Sequence, residues 1–527
     1  MDFTLISDCL EKAVKLSPEK EALVYGDRRI NYQEFWDNAQ NMAKALLDLG
    51  IKKGDRIAVL MPNCPEYLYT YMASSMVGSV MVGINPAYKG PEIAYIINNS
   101  LPKALIMIDQ HRDINYQKLI REYIFPGVIP HIVINNTQRS KKFIIRKSMS
   151  FGQLISRENT TDSEMLQERK KILSAEDAAL VIYTSGTTGK PKGAVLTHKN
   201  ILTSIGVEVR EWEFSSQDRL LLHLHMSHIG GAAELSVAGL MGMSTLIIMD
   251  HFNPVDALHL VEKEKITFLG QVPAMFSMMF NVTDFDSYNL SSIRACAVAG
   301  APTPVEIMEK MYSIGQGIVF TGYGLAETAG LVTYTAKEDP PETVINTVGK
   351  PAPEFQIKIV DDERNALPAG ETGEVAIKGD SVLSEYYELP EETEKAIDDE
   401  GWFYTGDIGL STEDGYLQLK GRKKDMIITG GYTVFPQEIE DKLMKHPRIQ
   451  LAAVCGVPDP ILGETGRAYI VPKEGNTFKQ KEIIAYLEQY LAEFKIPKQF
   501  IFRESLPLTT TGAVEKRVLQ EEIANEG

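Results

Sequence analysis

"YTSGTTGKPKGAVLTHKN" runs from Tyr183 to Asn200, directly behind the apolar run "AALVI". The apolar run reads as a buried strand, and the dozen residues after it concentrate four hydroxyls, three glycines and two lysines. Glycines let successive backbone N–H groups turn toward one anion, hydroxyls add donors, and lysines add charge. The spacing is not that of a nucleotide P-loop: two residues separate Gly186 from Gly189, and Lys190 is followed by Pro191, not Ser or Thr. A strand feeding so dense a donor cluster predicts a polyphosphate ligand. A flexible surface loop is the plainer alternative.

Upstream the chain alternates in the same manner. "YQEFWDNAQNMAKALLDLG" has apolar residues at helical spacing and a glycine stop at Gly50, and "PEYLYTYMASSMVGSV" is a second helix. Between and after them, "GDRIAVLMPN", "MVGINP", "ALIMID" and "HIVIN" read as short buried strands. Such βα alternation predicts parallel sheets with helices on both faces, hence an α/β class built on doubly wound sheets. At 527 residues the chain is too long for one compact core, so further domains are expected. The texture changes near residue 345. "FQIKIVDDERNALPAGETGEVAIKGDSVLSEYY" reads as strand, turn, strand, predicting a β-rich subdomain over about 345–422 at the end of a large domain 1–422. "DMIITGGYTVFP", "PQEIEDKLMKHP", "LAAVCGV" and "KQKEIIAYLEQYLAEF" then read as hairpin, helix, strand and helix, a small α+β domain over 423–527.

Composition narrows the partners. A hydrophobic fraction of 44% and a charged fraction of 24% belong to an ordinary globular protein. The net charge of −17 argues against nucleic acid, so an anionic ligand must be held by local donors. Cys9, Cys64, Cys296 and Cys455 are scattered without metal-like or pairing spacing, which fits a reducing compartment. "MDFTLISDCLEKAV" is no secretory signal and no apolar run reaches a membrane span, so the expected location is the cytoplasm. A monomer or homodimer is expected.

Further chemistry lies downstream. "VFTGYGLAET" places small residues at a strand end and adds Glu327, a candidate magnesium ligand; the GYG alone would pass for a plain turn. "GWFYTGDIG" puts Asp407 in a turn, where its carboxylate could accept both ribose hydroxyls or merely brace the turn. "GRKKDMIITGG" places Arg422 before a predicted strand and Lys423 in a charged linker. "LLHLHMSHIGG" carries His223, His225 and His228, but no cysteine or carboxylate follows at zinc-ligand spacing. Near the C-terminus, "LPLTTTGAVEKR" turns tightly on three threonines and Gly512. The next residue is Ala513, and the first cations, Lys516 and Arg517, come three places later.

These motifs, in this order, resemble the adenylate-forming superfamily of acyl-CoA synthetases, carrier-protein adenylation domains and luciferases, from "EALVYGDRRINYQEF" to "TTTGAVEKR". The resemblance implies that Thr184, Ser185, Gly186, Thr187, Thr188, Gly189 and Lys192 clamp the ATP phosphates. Gly300, Ala301 and Pro302, with Gly322, Tyr323, Gly324, Leu325 and Thr328, match segments that hold adenine and border the acyl pocket. Glu327 matches the magnesium ligand, while Ala326 stands where many relatives carry a threonine that touches the α-phosphate. Asp407 and Arg422 match the ribose-holding residues, and Lys424 the hinge of a mobile C-terminal domain. His228 and Gly231 fall at the gate of the acyl pocket, and Gly430 and Gly431 at the coenzyme A tunnel. At Ala513 the resemblance implies a lysine, so the chain reads as a Lys→Ala variant there.

The implied activity is that of an AMP-forming acid–CoA ligase using ATP, Mg2+ and coenzyme A, with adenylation impaired by Ala513. The acid is expected to be apolar and larger than acetate: aromatic, alicyclic or medium-chain. A carrier-protein adenylating ligase and a non-catalytic adenylate-binding sensor are the alternatives.

Overall fold

The computed structural model describes residues 3–125, 127–136, 145, 148–156, 163–184, 191–301, 303–429, 432–509 and 512–526. Two large sheets dominate it. In the eight-stranded one, Ala178–Thr184, Val80–Gly83, Arg56–Leu60, Ala104–Ile108 and His131–Asn135 run parallel. In the nine-stranded one, Thr245–Ile248, Arg219–Leu222, Phe268–Gln271, Ala295–Val298 and Val319–Leu325 do the same. Buried parallel strands have no polar face, which is why they read as unbroken apolar runs.

Local chemistry starts the helices where the sequence indicates. The Asn31 side chain accepts from the Glu34 N–H at 2.8 Å and opens the helix Tyr32–Asp48. Pro65–Val77 is buried on nearly all sides, as its even spread of apolar residues requires.

Each large sheet ends in antiparallel strands, and these position the site. Lys192–Thr197 returns antiparallel to Ala178–Thr184, and Glu385–Tyr386 is added beyond it. The stretch read as strand, turn, strand therefore yields Gln356–Val360 and Gly373–Lys378 to a four-stranded antiparallel sheet, plus a third short strand to a different sheet. The GYG segment is no turn. Val319–Leu325 runs straight through it and pairs with Gly330–Tyr334, bulging between Tyr323 and Gly324. A Cβ on Gly324 would sit 2.0 Å from the Gly330 carbonyl oxygen, so glycine here serves close strand approach. Asp407, expected in a turn, lies inside the strand Phe403–Ser411. Gly406, at φ 70°, kinks the chain there while pairing with Leu417–Arg422 continues.

The C-terminal segment forms a five-stranded sheet with Gly463–Pro472 at its centre and Ile449–Asp459 along one edge, flanked by Pro436–Met444, Gln480–Leu487 and Lys516–Glu526. Its buried residues form two clusters of their own, one with Ile427, Val434, Ile439, Ile483 and Leu487 and one with Ala453, Tyr469 and Leu519. The helix expected over "KQKEIIAYLEQYLAEF" stops at Leu487, its last buried residue, and a 3-10 turn Glu493–Lys495 follows. No helix among the described residues is long and apolar enough to cross a membrane.

Candidate active site

Thr184 closes its strand at the carboxyl edge of the sheet, where ligands of open α/β sheets bind. Ser185, Gly186, Thr187, Thr188 and Gly189 lie outside the described residues, as do Pro302, Gly430 and Gly431. The end of the same stretch is well defined. Thr197 and Asn200 cap the helix His198–Glu211 reciprocally, Asn200 N to Thr197 Oγ1 at 3.1 Å and Thr197 N to Asn200 Oδ1 at 2.8 Å. The Asn200 amide also donates to the carbonyls of Asp380 and Val382, at 2.8 and 2.9 Å. Leu383 N–H donates to the Glu327 carbonyl at 2.7 Å. These bonds thread residues 380–387 across the sheet edge and bring Tyr386 over Glu327.

The result is a compact polar cluster. The Glu327 carboxylate accepts from Tyr386 OH at 3.0 Å and from Thr184 Oγ1 at 3.4 Å. Lys192 Nζ lies 2.5 Å from Glu392 and 5.1 Å from the Tyr386 ring centroid. Lys192 and Lys395 together hold the Glu392 carboxyl down at about 2.

A second group adjoins it. Asp407 faces Arg422 across the paired strands, and its Oδ1 forms an ion pair with Arg422 Nε at 2.6 Å. Tyr323 OH donates to Asp407 Oδ2 at 2.5 Å. Burial pushes the Asp407 carboxyl up, against the pull of Arg422 and Tyr323. Glu327 stands near enough to act on both Asp407 and Arg422 through its charge. Each carboxylate oxygen of Asp407 has lone-pair capacity beyond its contact with Tyr323 or Arg422.

Other expected residues divide between site and scaffold. His228 is partly exposed, with Nε2 3.3 Å from the Asn85 amide nitrogen, and burial pulls its ring down to about 4, so it is neutral at pH 7. His223 and His225 are scaffold: His223 Nδ1 meets the Leu221 carbonyl at 2.9 Å, and His225 bridges Ser227 and the Met61 carbonyl. Gly231 packs on the backbone of Leu224 and His225, and Gly322 on the Thr333 carbonyl, so both act by allowing close approach. Gly300, Ala301 and Leu325 border the carboxyl ends of their strands with some exposure. Thr328, expected to touch the nucleotide, is fully buried instead. Its hydroxyl accepts from Leu325 N at 2.8 Å and donates to the Gly330 carbonyl at 2.8 Å, closing the turn that aims Glu327.

The C-terminal loop reaches this region. Thr509 N–H donates to the Ala513 carbonyl at 2.7 Å, and Ala513 N–H to Thr509 Oγ1 at 3.2 Å. Gly512, at φ 82°, brings the loop so close to Ala274 that a Cβ would lie 2.7 Å from the Ala274 methyl. Lys516 is turned away and pairs with Glu440 at 2.7 Å, and Arg517 pairs with Glu521 and Glu515. Lys424 is exposed, in the 3-10 turn Lys423–Asp425 just after Arg422.

Residues 10–387 match the family described as AMP-binding enzyme, and residues 438–513 match its C-terminal domain. This chain belongs to the AMP-binding enzyme family. It is 33% identical to the putative acyl-CoA synthetase YngI of Bacillus subtilis, over 98% of this chain and 96% of that protein. Among solved structures it resembles the anthranilate CoA ligase AuaEII in complex with anthranoyl-AMP, with a TM-score of 0.89, 25% identity and coverage of 99% and 98% of the two chains. It also resembles the o-succinylbenzoate CoA synthetase of Bacillus subtilis in complex with ATP and magnesium ion, with a TM-score of 0.82, 26% identity and coverage of 97% and 99%. The similarities place this AMP-binding enzyme in the acyl-CoA synthetase and ligase branch.

Two residues of this AMP-binding enzyme's cluster went unsignalled in the sequence. Tyr386 and Glu392 sit in "EYYELPEE", which carries no motif, and only the threading of residues 380–387 brings them in. Among the described residues one group of metal-ligating types is brought together, His111, Asp250 and His251, and it shares no member with the cluster around Glu327.

Proposed function

We propose that the chain is an AMP-forming acid–CoA ligase. A carboxylate oxygen attacks the α-phosphorus of ATP, pyrophosphate leaves, and the acyl-adenylate then passes its acyl group to the sulfur of coenzyme A with departure of AMP. The observation that carries this reading is the meeting of Thr184, Tyr323, Glu327, Asp407 and Arg422, from segments far apart in the chain, beside the carboxyl end of Ala178–Thr184. A carboxylate resists a thiol because its oxygen would leave as a dianion, and conversion to a mixed anhydride with AMP removes that obstacle. The first step brings two anions together and needs cations aimed at the developing charge.

In this reading Asp407 uses its remaining lone pairs for the ribose hydroxyls, while Arg422 and Tyr323 hold it in place. The 184–192 loop and Lys192 hold the phosphates. Glu327 and the Thr184 hydroxyl are hard oxygen donors side by side, a set that suits Mg2+. Bound there, Mg2+ would neutralise phosphate charge. His228 presents a neutral ring at the acyl gate. Residues 423–527 turn about Lys424 between the two half-reactions, and Gly430 and Gly431 then line the path of the pantetheine arm. The body of the acid is apolar and larger than acetate, since "HMSHIGGAAELSVAG", "GQVPAMF" and "YGLAETAG" are rich in Ala, Gly and Met. The aromatic adenylate held by AuaEII supports this size class.

Ala513 favours a second reading, a sensor that binds adenylate without making it. A panel of aromatic, alicyclic and medium-chain acids, scored by AMP release with and without coenzyme A, separates the two. Release that requires both an acid and coenzyme A is expected. Release that requires a pantetheinyl carrier protein, or none from any acid even when acyl-adenylate is supplied, overturns the ligase reading.

A further inference from the structure

Two carboxylates lie together beside the proposed acyl pocket without a counter-ion. Glu208, on the helix His198–Glu211, is fully buried, and neither of its oxygens has a hydrogen-bond partner. Glu234, on the π-helical turn Gly230–Leu235 that follows His228, is partly exposed. The two are near enough for Glu234 to raise the Glu208 carboxyl through charge. Among the described residues no cation and no donor reaches either of them. The donors around them are committed elsewhere: Ser204 Oγ and Tyr334 OH both donate to the Leu331 carbonyl, at 3.2 and 2.9 Å. Arg210, two residues beyond Glu208, is held by Glu354 at 2.5 Å.

The place of Glu234 is set by two glycines. Its Oε1 lies 3.3 Å from the point a Cβ would occupy on Gly330, and its Oε2 3.4 Å from the same point on Gly230. Gly330 pairs with Leu325, which borders the nucleotide cluster, and follows Glu327 by three residues. One carboxylate thus lies between these two glycines, and the second is close enough to feel its charge.

Burying one unpaired carboxylate is unfavourable, and burying two side by side more so. Burial alone pushes the Glu234 carboxyl up to about 7. Local rules broken in this way mark functional positions, since a fold gains nothing from them.

We infer that Glu234, backed by Glu208, is the specificity element of the acyl pocket, and that the acid it selects carries an amine at the end remote from its carboxylate. The ammonium group of such an acid supplies the missing cation, while the Ala- and Gly-rich walls enclose its apolar body. A pocket built to pair with a ligand donor rejects the analogue that lacks it, because its own polar group is then left unsatisfied.

This inference rests on the ligase reading, and one experiment separates the two. Non-reactive acyl-sulfamoyl adenosines are made in matched pairs, ω-aminoalkanoyl against alkanoyl and aminomethylbenzoyl against methylbenzoyl. Their binding to the full chain is measured by calorimetry. The amine member of each pair should bind at least ~10-fold tighter, and Glu234→Gln should abolish that preference while leaving AMP affinity unchanged. Equal binding of the two members, or tighter binding of the amine-free one, overturns the specificity role and leaves the ligase reading standing. A preference that survives in Glu234→Gln overturns it too. Failure of both members to bind sinks the ligase reading and the inference together. The comparison within the unaltered protein decides the matter even where a variant does not fold.

Discussion

Ala513 occupies the tip of a loop held by Thr509 and pressed against Ala274, so its position is defined although its side chain is a methyl. A methyl cannot neutralise the charge that builds as a carboxylate meets a phosphate. Neither neighbouring cation can take over, because Lys516 is tied to Glu440 and Arg517 to Glu515 and Glu521. Ala513→Lys is expected to raise ATP-dependent adenylate formation by at least an order of magnitude, and to leave conversion of supplied acyl-adenylate with coenzyme A unchanged. Pyrophosphate exchange measures the first and thioester formation the second, and no gain in exchange would refute a role for a cation at this position. Glu327 makes the complementary case, since its carboxylate is braced by Tyr386 and Thr184. Glu327→Gln should lower magnesium-ATP turnover by roughly tenfold or more, and added magnesium should not restore it fully. Turnover equal to that of the unaltered protein would remove Glu327 from the proposed metal site.

At the scale of elements, the turn Lys423–Asp425 separates the four-stranded sheet that ends at Arg422 from the five-stranded sheet that begins at Ile427. Lys424→Pro fixes φ in that connection and should hamper any swing of the segment that follows. Coenzyme A transfer from supplied acyl-adenylate is expected to fall much further than adenylate formation; equal loss in both would mean simple damage to folding. The sheets themselves were largely legible. Buried parallel strands announce themselves as apolar runs. Short strands gave no such signal. Glu385–Tyr386 spans two residues and is held by the far-off partners Val195 and Ala194. Asp407 and the GYG segment read as turns because Gly usually breaks a strand, whereas in the fold it permits close approach or a kink within one.

For the molecule as a whole, the carboxyl pair predicts how stability follows pH. The Glu234 carboxyl, raised from 4.5 to about 7, binds a proton more tightly folded than unfolded. Its contribution is therefore complete below about pH 4.5 and is lost as pH rises through about 7. Glu208 titrates in the same sense, with Tyr334 as the neighbouring hydroxyl. Urea midpoints should accordingly fall across this range, with a shallower slope in Glu234→Gln. An identical slope in both proteins would show that Glu234 is not buried as a carboxyl. By itself the sequence determined the α/β class and the order of the main elements, because apolar periodicity and glycine stops are written in neighbouring residues. Only the tertiary structure decided that Tyr386 and Glu392 join the cluster, that Lys516 is bound to Glu440, and that Glu208 meets Glu234 with no cation between them. Those pairings join residues scattered along the chain, and a contact closed by packing leaves no mark on the residues to either side of it.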